Sequence, residues 1–162
     1  MAVDMLLSIP GVKGESKIES TPKNQIDVLS WSWGMSNHGK THVGSGGGSG
    51  KVNVQDVSLT KYVDSSSPNL MLACCNGEHF DSAVLTVRKA GGKEPVEYVQ
   101  IKMTEVFITS VSTGGSEGEE RLTENVSLNF AKVELDYIPQ DDKGRPGTKM
   151  PFGWDIAANK HQ

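Results

Sequence analysis

Two cysteines are all that the chain has, and they are neighbours, Cys74 and Cys75. Adjacent cysteines cannot staple distant segments to one another, so a secreted disulfide scaffold is excluded. A basic excess is also missing: 16 Lys and Arg stand against 20 Asp and Glu, a formal net charge of −4. Without one there is no electrostatic footprint for a nucleic-acid backbone or an anionic membrane surface, and neither is expected as a partner. Long apolar runs are lacking too. The longest near the start, Met5-Leu6-Leu7, follows Asp4 with no basic flank, which is not a Sec-type signal peptide. No stretch approaches the roughly 18 apolar residues of a membrane helix. The expectation is a protein that starts in the cytoplasm, with no signal peptide and no membrane insertion.

What the chain does have is glycine, 18 of 162 residues, and alternation. The length suits a single domain, 1–162, and the glycine content suits a β protein rich in turns. Val3, Met5, Leu7 and Ile9 share one phase of a period-2 pattern, the mark of a strand. From Ile26 to Trp33 the apolar phase switches, from Ile26 and Val28 to Leu29, Trp31 and Trp33, which calls for a bulge or for cover on both faces. The same switch occurs between Val52, Val54 and Val57, Leu59. Ala83–Lys89 and Val96–Met103 form a hairpin about Ala90-Gly91-Gly92-Lys93, and Glu105–Ser112 reads as a further strand. Arg121–Ile138 is too long for one ordinary strand and needs a bulge or corner at Ala131-Lys132. Its polar face, Thr123, Asn125, Ser127 and Asn129, meets water or a polar partner. One helix is expected, with Ser67 as N-cap, Pro68 at its first position and Asn76-Gly77 as its stop, buried because it is apolar nearly all round. Strands in this number with one short helix indicate a closed or sandwiched antiparallel β structure.

Motifs that carry chemistry elsewhere lack their context here. Gly114-Gly115-Ser116-Glu117-Gly118 fits G-x-S-x-G, but no helix pattern follows, so Ser116 reads as part of an acidic hairpin loop. Gly44 to Lys51 resembles a phosphate cradle until its positions are counted: Ser45 and Val52 stand where Gly and Ser or Thr are needed. It reads instead as part of a flexible extended loop, residues 39–51, able to order on a neighbouring subunit. His38 and His42 share a face only on a helix, which this glycine content precludes, and Cys74 and Cys75 read as buried small hydrophobes. Asn125-Val126-Ser127 matches a glycosylation sequon that a chain without a signal peptide never presents. Trp31, Trp33 and Trp154 could stack on sugar rings, although two of them lie on one apolar strand phase, which suits core packing. No catalytic residue, cofactor or metal is expected.

Three segments carry a specific resemblance: Asp27-Val28-Leu29-Ser30-Trp31-Ser32-Trp33-Gly34, Lys61-Tyr62-Val63-Asp64 with Ser67-Pro68-Asn69-Leu70, and Arg121-Leu122-Thr123-Glu124-Asn125-Val126. With Val12-Lys13-Gly14-Glu15-Ser16 they resemble the haemolysin-coregulated protein (Hcp) family. The resemblance implies a mainly β fold, an antiparallel two-sheet β-barrel with one short flanking α-helix. It implies the tail-tube subunit of bacterial type VI secretion: a homohexameric ring that stacks into a tube, meets a VgrG-type spike, a contractile sheath and a baseplate, and is secreted into target cells. It places Ser32 on the lumen, where small effector toxins are carried. Gly44, Gly46, Gly47, Gly48 and Gly50 in the extension, Gly91 and Gly92 in the hairpin, and Trp154 and Ala157 in the tail (139–162) are the expected contacts between subunits or rings. The stretch from Pro139 to Pro151 has no match in the family pattern. The alternative is a monomeric β-sandwich carbohydrate-binding module using Trp31 or Trp33.

Overall fold

The computed structural model describes residues 3–20, 22–39, 50–89 and 94–162. Among them the elements run β1 (Val3–Ser8), β2 (Ile26–Ser32), β3 (Met35–Ser36), β4 (Asn53–Val54), β5 (Val57–Tyr62), α1 (Ser67–Asn76), β6 (His79–Lys89), β7 (Val96–Thr113), β8 (Thr123–Tyr137), β9 (Met150–Asp155) and β10 (Lys160–His161). Strands β8, β5, β2, β1, β6 and β7 pair antiparallel in that order, and β7 returns to β8 to close a six-stranded barrel. Closure removes the edges that an open sheet would expose. β9 and β10 add to the far half of β8, and β3 with β4 forms a separate ribbon.

The barrel closes because β7 and β8, with 18 and 15 residues, are long enough to serve several partners each. β8 pairs with β5 over Thr123–Leu128 and with β9 over Lys132–Tyr137, while β7 follows it on the other side. Phe130 and Val133, three apart, are both buried, so the face changes at Ala131-Lys132 where a corner was expected. Opposite this corner Glu105 adopts φ 55°. The sequence reading divides this region into two strands, but β7 runs through as one. A single left-handed residue bends the ladder without ending it, at a cost on the order of 1–3 kcal/mol.

The phase switch in β2 is a bulge. Val28 pairs with Lys61 and Ser30 with Thr60, which leaves Leu29 unpaired and exposed. The second switch falls between two strands, with Gln55 and Asp56 separating β4 from β5. In β1 Leu6 and Leu7 are both buried, so its outer face is covered as well. Leu6 and Thr86 line a cavity with Ser20, Pro22 and Gln25, where the 13–25 segment folds back. Gly14 N–H donates to Asn24 O there, and a Cβ at Gly14 would collide with the Gln25 carbonyl.

Inward side chains, among them Leu7, Ile26, Val57, Leu59, Leu85, Ile101, Met103, Ile108, Val126 and Leu128, make one core. Helix α1 buries Leu70 and Ala73 but leaves Leu72 58% exposed, Cys75 exposed and Cys74 half-buried. This corrects the expectation of a buried helix with buried cysteines: α1 lies outside the closed barrel against β7, and only one of its faces is covered. Its N-cap position is Ser66, not Ser67, and Gly77 at φ 72° ends it. The 139–147 stretch, outside the family pattern, is held by backbone hydrogen bonds, among them Gly147 N–H to Pro139 O, and by the Asp141 side chain. Asp141 Oδ1 accepts the N–H groups of Lys143 and Arg145, and its Oδ2 accepts Arg145 Nε–H. These donors, the Arg145 backbone N–H first, hold the Asp141 carboxyl below its ordinary value.

Candidate functional site

Ser32 lies on the outer face of β2 and is exposed. Register then brings it companions that period-2 reading alone could not assign. Ser32 pairs with Ser58, Ser58 with Ser127, and Ser127 with Ser110, which makes one rung across four barrel strands. Ser30, Thr60, Asn125 and Ser112 form the next rung. With strands about 4.8 Å apart, each rung spans about 14 Å. Ser58 and Ser127 hydroxyls lie 3.4 Å apart, and Thr60 Oγ1–H donates to Asn125 Oδ1 at 2.8 Å. Six of these side chains are exposed and two, Thr60 and Ser127, are half-buried.

Charge stands only at the borders of this face. Asp56 accepts from Thr109 Oγ1 at 2.7 Å and from Asn129 Nδ2 at 2.9 Å, which engages both carboxylate oxygens. At the other end Arg121 stacks on the Tyr62 ring, 3.6 Å from its centroid.

On the inward side of β5 and β8 lies a second polar group, which is closed. Lys61 Nζ, with three protons, has four oxygens about it: Glu124 Oε1 at 2.5 Å, Tyr62 O at 2.7 Å, Asp64 Oδ1 at 3.0 Å and Ser67 Oγ at 3.2 Å. Ser67 Oγ accepts Asp64 N–H at 3.0 Å and donates to Glu124 Oε1. Lys61 and Glu124 are completely buried. The cluster ties β5, β8 and the start of α1 together and has no opening to a ligand, so its role is to hold the fold.

The other predicted contacts are scattered. Gly44, Gly46, Gly47 and Gly48, and Gly91 with Gly92, lie outside the described residues. Gly50 is half-buried beside His38, at the foot of the extension. That foot is fixed to the barrel: Trp33 Nε1–H donates to Gln55 O at 2.9 Å, Gln55 N–H donates to Gly34 O, and β3 pairs with β4. Trp154 on β9 is half-buried against the core, and Ala157 is exposed in the turn between β9 and β10.

The competing chemistries find little here. Trp33 packs against Phe130 and Phe152 with ring centroids 6.3 and 6.4 Å apart, and Trp31 is half-buried, so neither offers an open platform to a sugar. Ser116 is exposed in a loop between β7 and β8, without the strand-turn-helix that a nucleophile elbow requires. Among the described residues no three His, Cys, Asp or Glu side chains group as metal ligands.

Comparison with known proteins bears on the whole chain. Residues 6–137 match the family described as "Type VI secretion system effector, Hcp". The Hcp1 protein of Pseudomonas aeruginosa is 59% identical over 160 residues, which cover 98% of each chain. A solved structure described as a type six secretion system protein superposes with TM-score 0.91 at 29% identity, covering 99% of this chain and 100% of that one. Hcp1 from Salmonella typhimurium superposes with TM-score 0.82 at 37% identity over 100% of both.

Proposed function

This chain belongs to the Hcp family of type VI secretion tube proteins, and from that premise we propose that it is a structural subunit with no catalytic step of its own. Six copies form a ring, rings stack into the tail tube, and the tube passes from the cytoplasm to the target cell. Its partners are further copies of itself, the spike, sheath and baseplate proteins, and small effectors carried in the lumen.

The observation that carries this reading is the neutral two-rung face around Ser32. It spans four barrel strands, and six of its eight side chains are exposed among the described residues. A ring closes through two different complementary patches, not one self-complementary patch. The extension, rooted by Trp33 and Gln55, is one candidate for such a patch. Gly91, Gly92, Trp154 and Ala157 are candidates for contact between rings. The Ser32 face then looks inward and takes the cargo.

Solution mass by light scattering, with negative-stain imaging of the same fraction, tests the reading. Six copies of a 17.4 kDa chain give about 104 kDa and ring images. A 17.4 kDa monomer at micromolar concentration would overturn it.

A further inference from the structure

The Ser32 face carries no charge where charge would be expected. At the 22% charged content of the chain, eight solvent-facing positions would hold about two charged side chains. The two rungs hold none, only serine, threonine and asparagine. Asp56, at the border of the face, accepts hydrogen bonds from Thr109 and Asn129 on its two oxygens. On the two rungs themselves a polyanion meets no cation and a polycation meets no carboxylate.

Every one of these side chains can still donate and accept hydrogen bonds. A hydroxyl has one proton and two lone pairs, and an amide has two donors and an acceptor. They are short, so a contact orders little rotamer freedom. Hydroxyls that rotate to suit a partner set no fixed donor pattern, which favours tolerance of many sequences over recognition of one.

We infer that this face takes its cargo by neutral hydrogen bonding: its partner is a polypeptide surface of uncharged amide and hydroxyl groups, bound in a way that salt hardly alters. The inference rests on the reading that the Ser32 face lines the tube.

Fluorescence anisotropy against the assembled full-length protein tests it with three labelled peptides of equal length. One is built of Ser, Asn, Gln and Gly, one is rich in Glu, and one is rich in Lys. The neutral peptide should bind tightest, and its affinity should change less than about twofold between about 50 and about 500 mM NaCl, where ionic contacts weaken far more. Ser127→Lys, at the centre of the first rung, should weaken the neutral peptide at least about fivefold and admit the Glu-rich peptide at low salt. Ser127→Asn, which keeps neutral donors and acceptors, should bind as the parent does. Tighter binding of either charged peptide to the parent would overturn the inference, as would neutral-peptide affinity untouched by Ser127→Lys, or no neutral binding at 1 mM. Light scattering on the same samples separates the two levels. Rings of six without neutral binding overturn this inference alone, whereas a monomer overturns the assembly reading and this inference with it.

Discussion

Lys61 and Glu124 face each other across β5 and β8, and one residue away Thr60 and Asn125 face each other across the same two strands. The first pair points inward and has no solvent exposure; the second points outward. Inside, away from bulk solvent, Lys61 is held by charged and backbone acceptors and Glu124 Oε1 accepts from both Lys61 and Ser67, while the buried Glu124 Oε2 has no partner among the described residues. Outside, a single neutral hydrogen bond joins Thr60 to Asn125. The contrast teaches that solvent, not strand identity, sets how costly a polar residue is. A buried charge needs an opposite charge beside it, because several kcal/mol of lost hydration stand against it. An exposed hydroxyl is free to serve a partner instead.

The largest break in this comparison comes from the buried side. Lys61→Met leaves Glu124 and Asp64 without their cation and should cost about 3–5 kcal/mol in urea denaturation. Adding Glu124→Leu to it should recover most of that loss, since a paired set of charges replaced by apolar groups is often neutral. A loss under about 1 kcal/mol for Lys61→Met would show that the cluster is not what holds α1 to the barrel.

Thr60→Val sharpens the contrast from the other side. It removes the outward hydrogen bond to Asn125 and should change stability by less than about 0.5 kcal/mol in the same assay. A loss as large as that of Lys61→Met would erase the distinction between the two faces.

The smallest effect belongs to Asp141, an exposed carboxylate. Its pKa in the folded chain is lowered from 3.8, so its contribution to the 139–147 loop is fully present above 3.8 and is lost as pH falls through the lower, folded value. Amide exchange at Lys143 and Arg145, whose N–H groups it accepts, should therefore quicken, relative to its intrinsic rate, only in acid below that range. Protection that weakens well above 3.8 would mean that another group holds the loop.

Much of this was legible along the chain. Lys61 shares the apolar phase of Val57 and Leu59, and Glu124 shares that of Val126 and Leu128, so each was visible as a charge on a buried face. What each one met was not visible, because the partners lie 63 residues apart. Lys61, Asp64 and Ser67 fall in one of the segments that carry the family resemblance and Glu124 falls in another, so those two motifs are one structural unit. Ser32, expected on the lumen from the resemblance, is exposed on the outer face of β2, and Asn125, Ser127 and Asn129 were read as a face for water or a polar partner. Ser58, Thr60, Ser110 and Ser112 went unassigned, since alternation says which residues share a face but not which face of which neighbour they join. The helix was misjudged for a related reason: apolar residues all round suggest burial, but a helix laid outside a closed barrel can cover only one side.

By itself the sequence determined the class of the protein: alternation made strands, and Pro68 and Gly77 bounded the helix. Each of these depends on neighbours within a few residues, where backbone geometry acts directly. Tertiary structure alone decided that β7 returns to β8, that a bulge at Leu29 resets β2, and that eight neutral side chains from four strands meet as one surface. Those outcomes depend on register between strands far apart in the chain, and register is chosen by which set of side chains the whole core can bury at once.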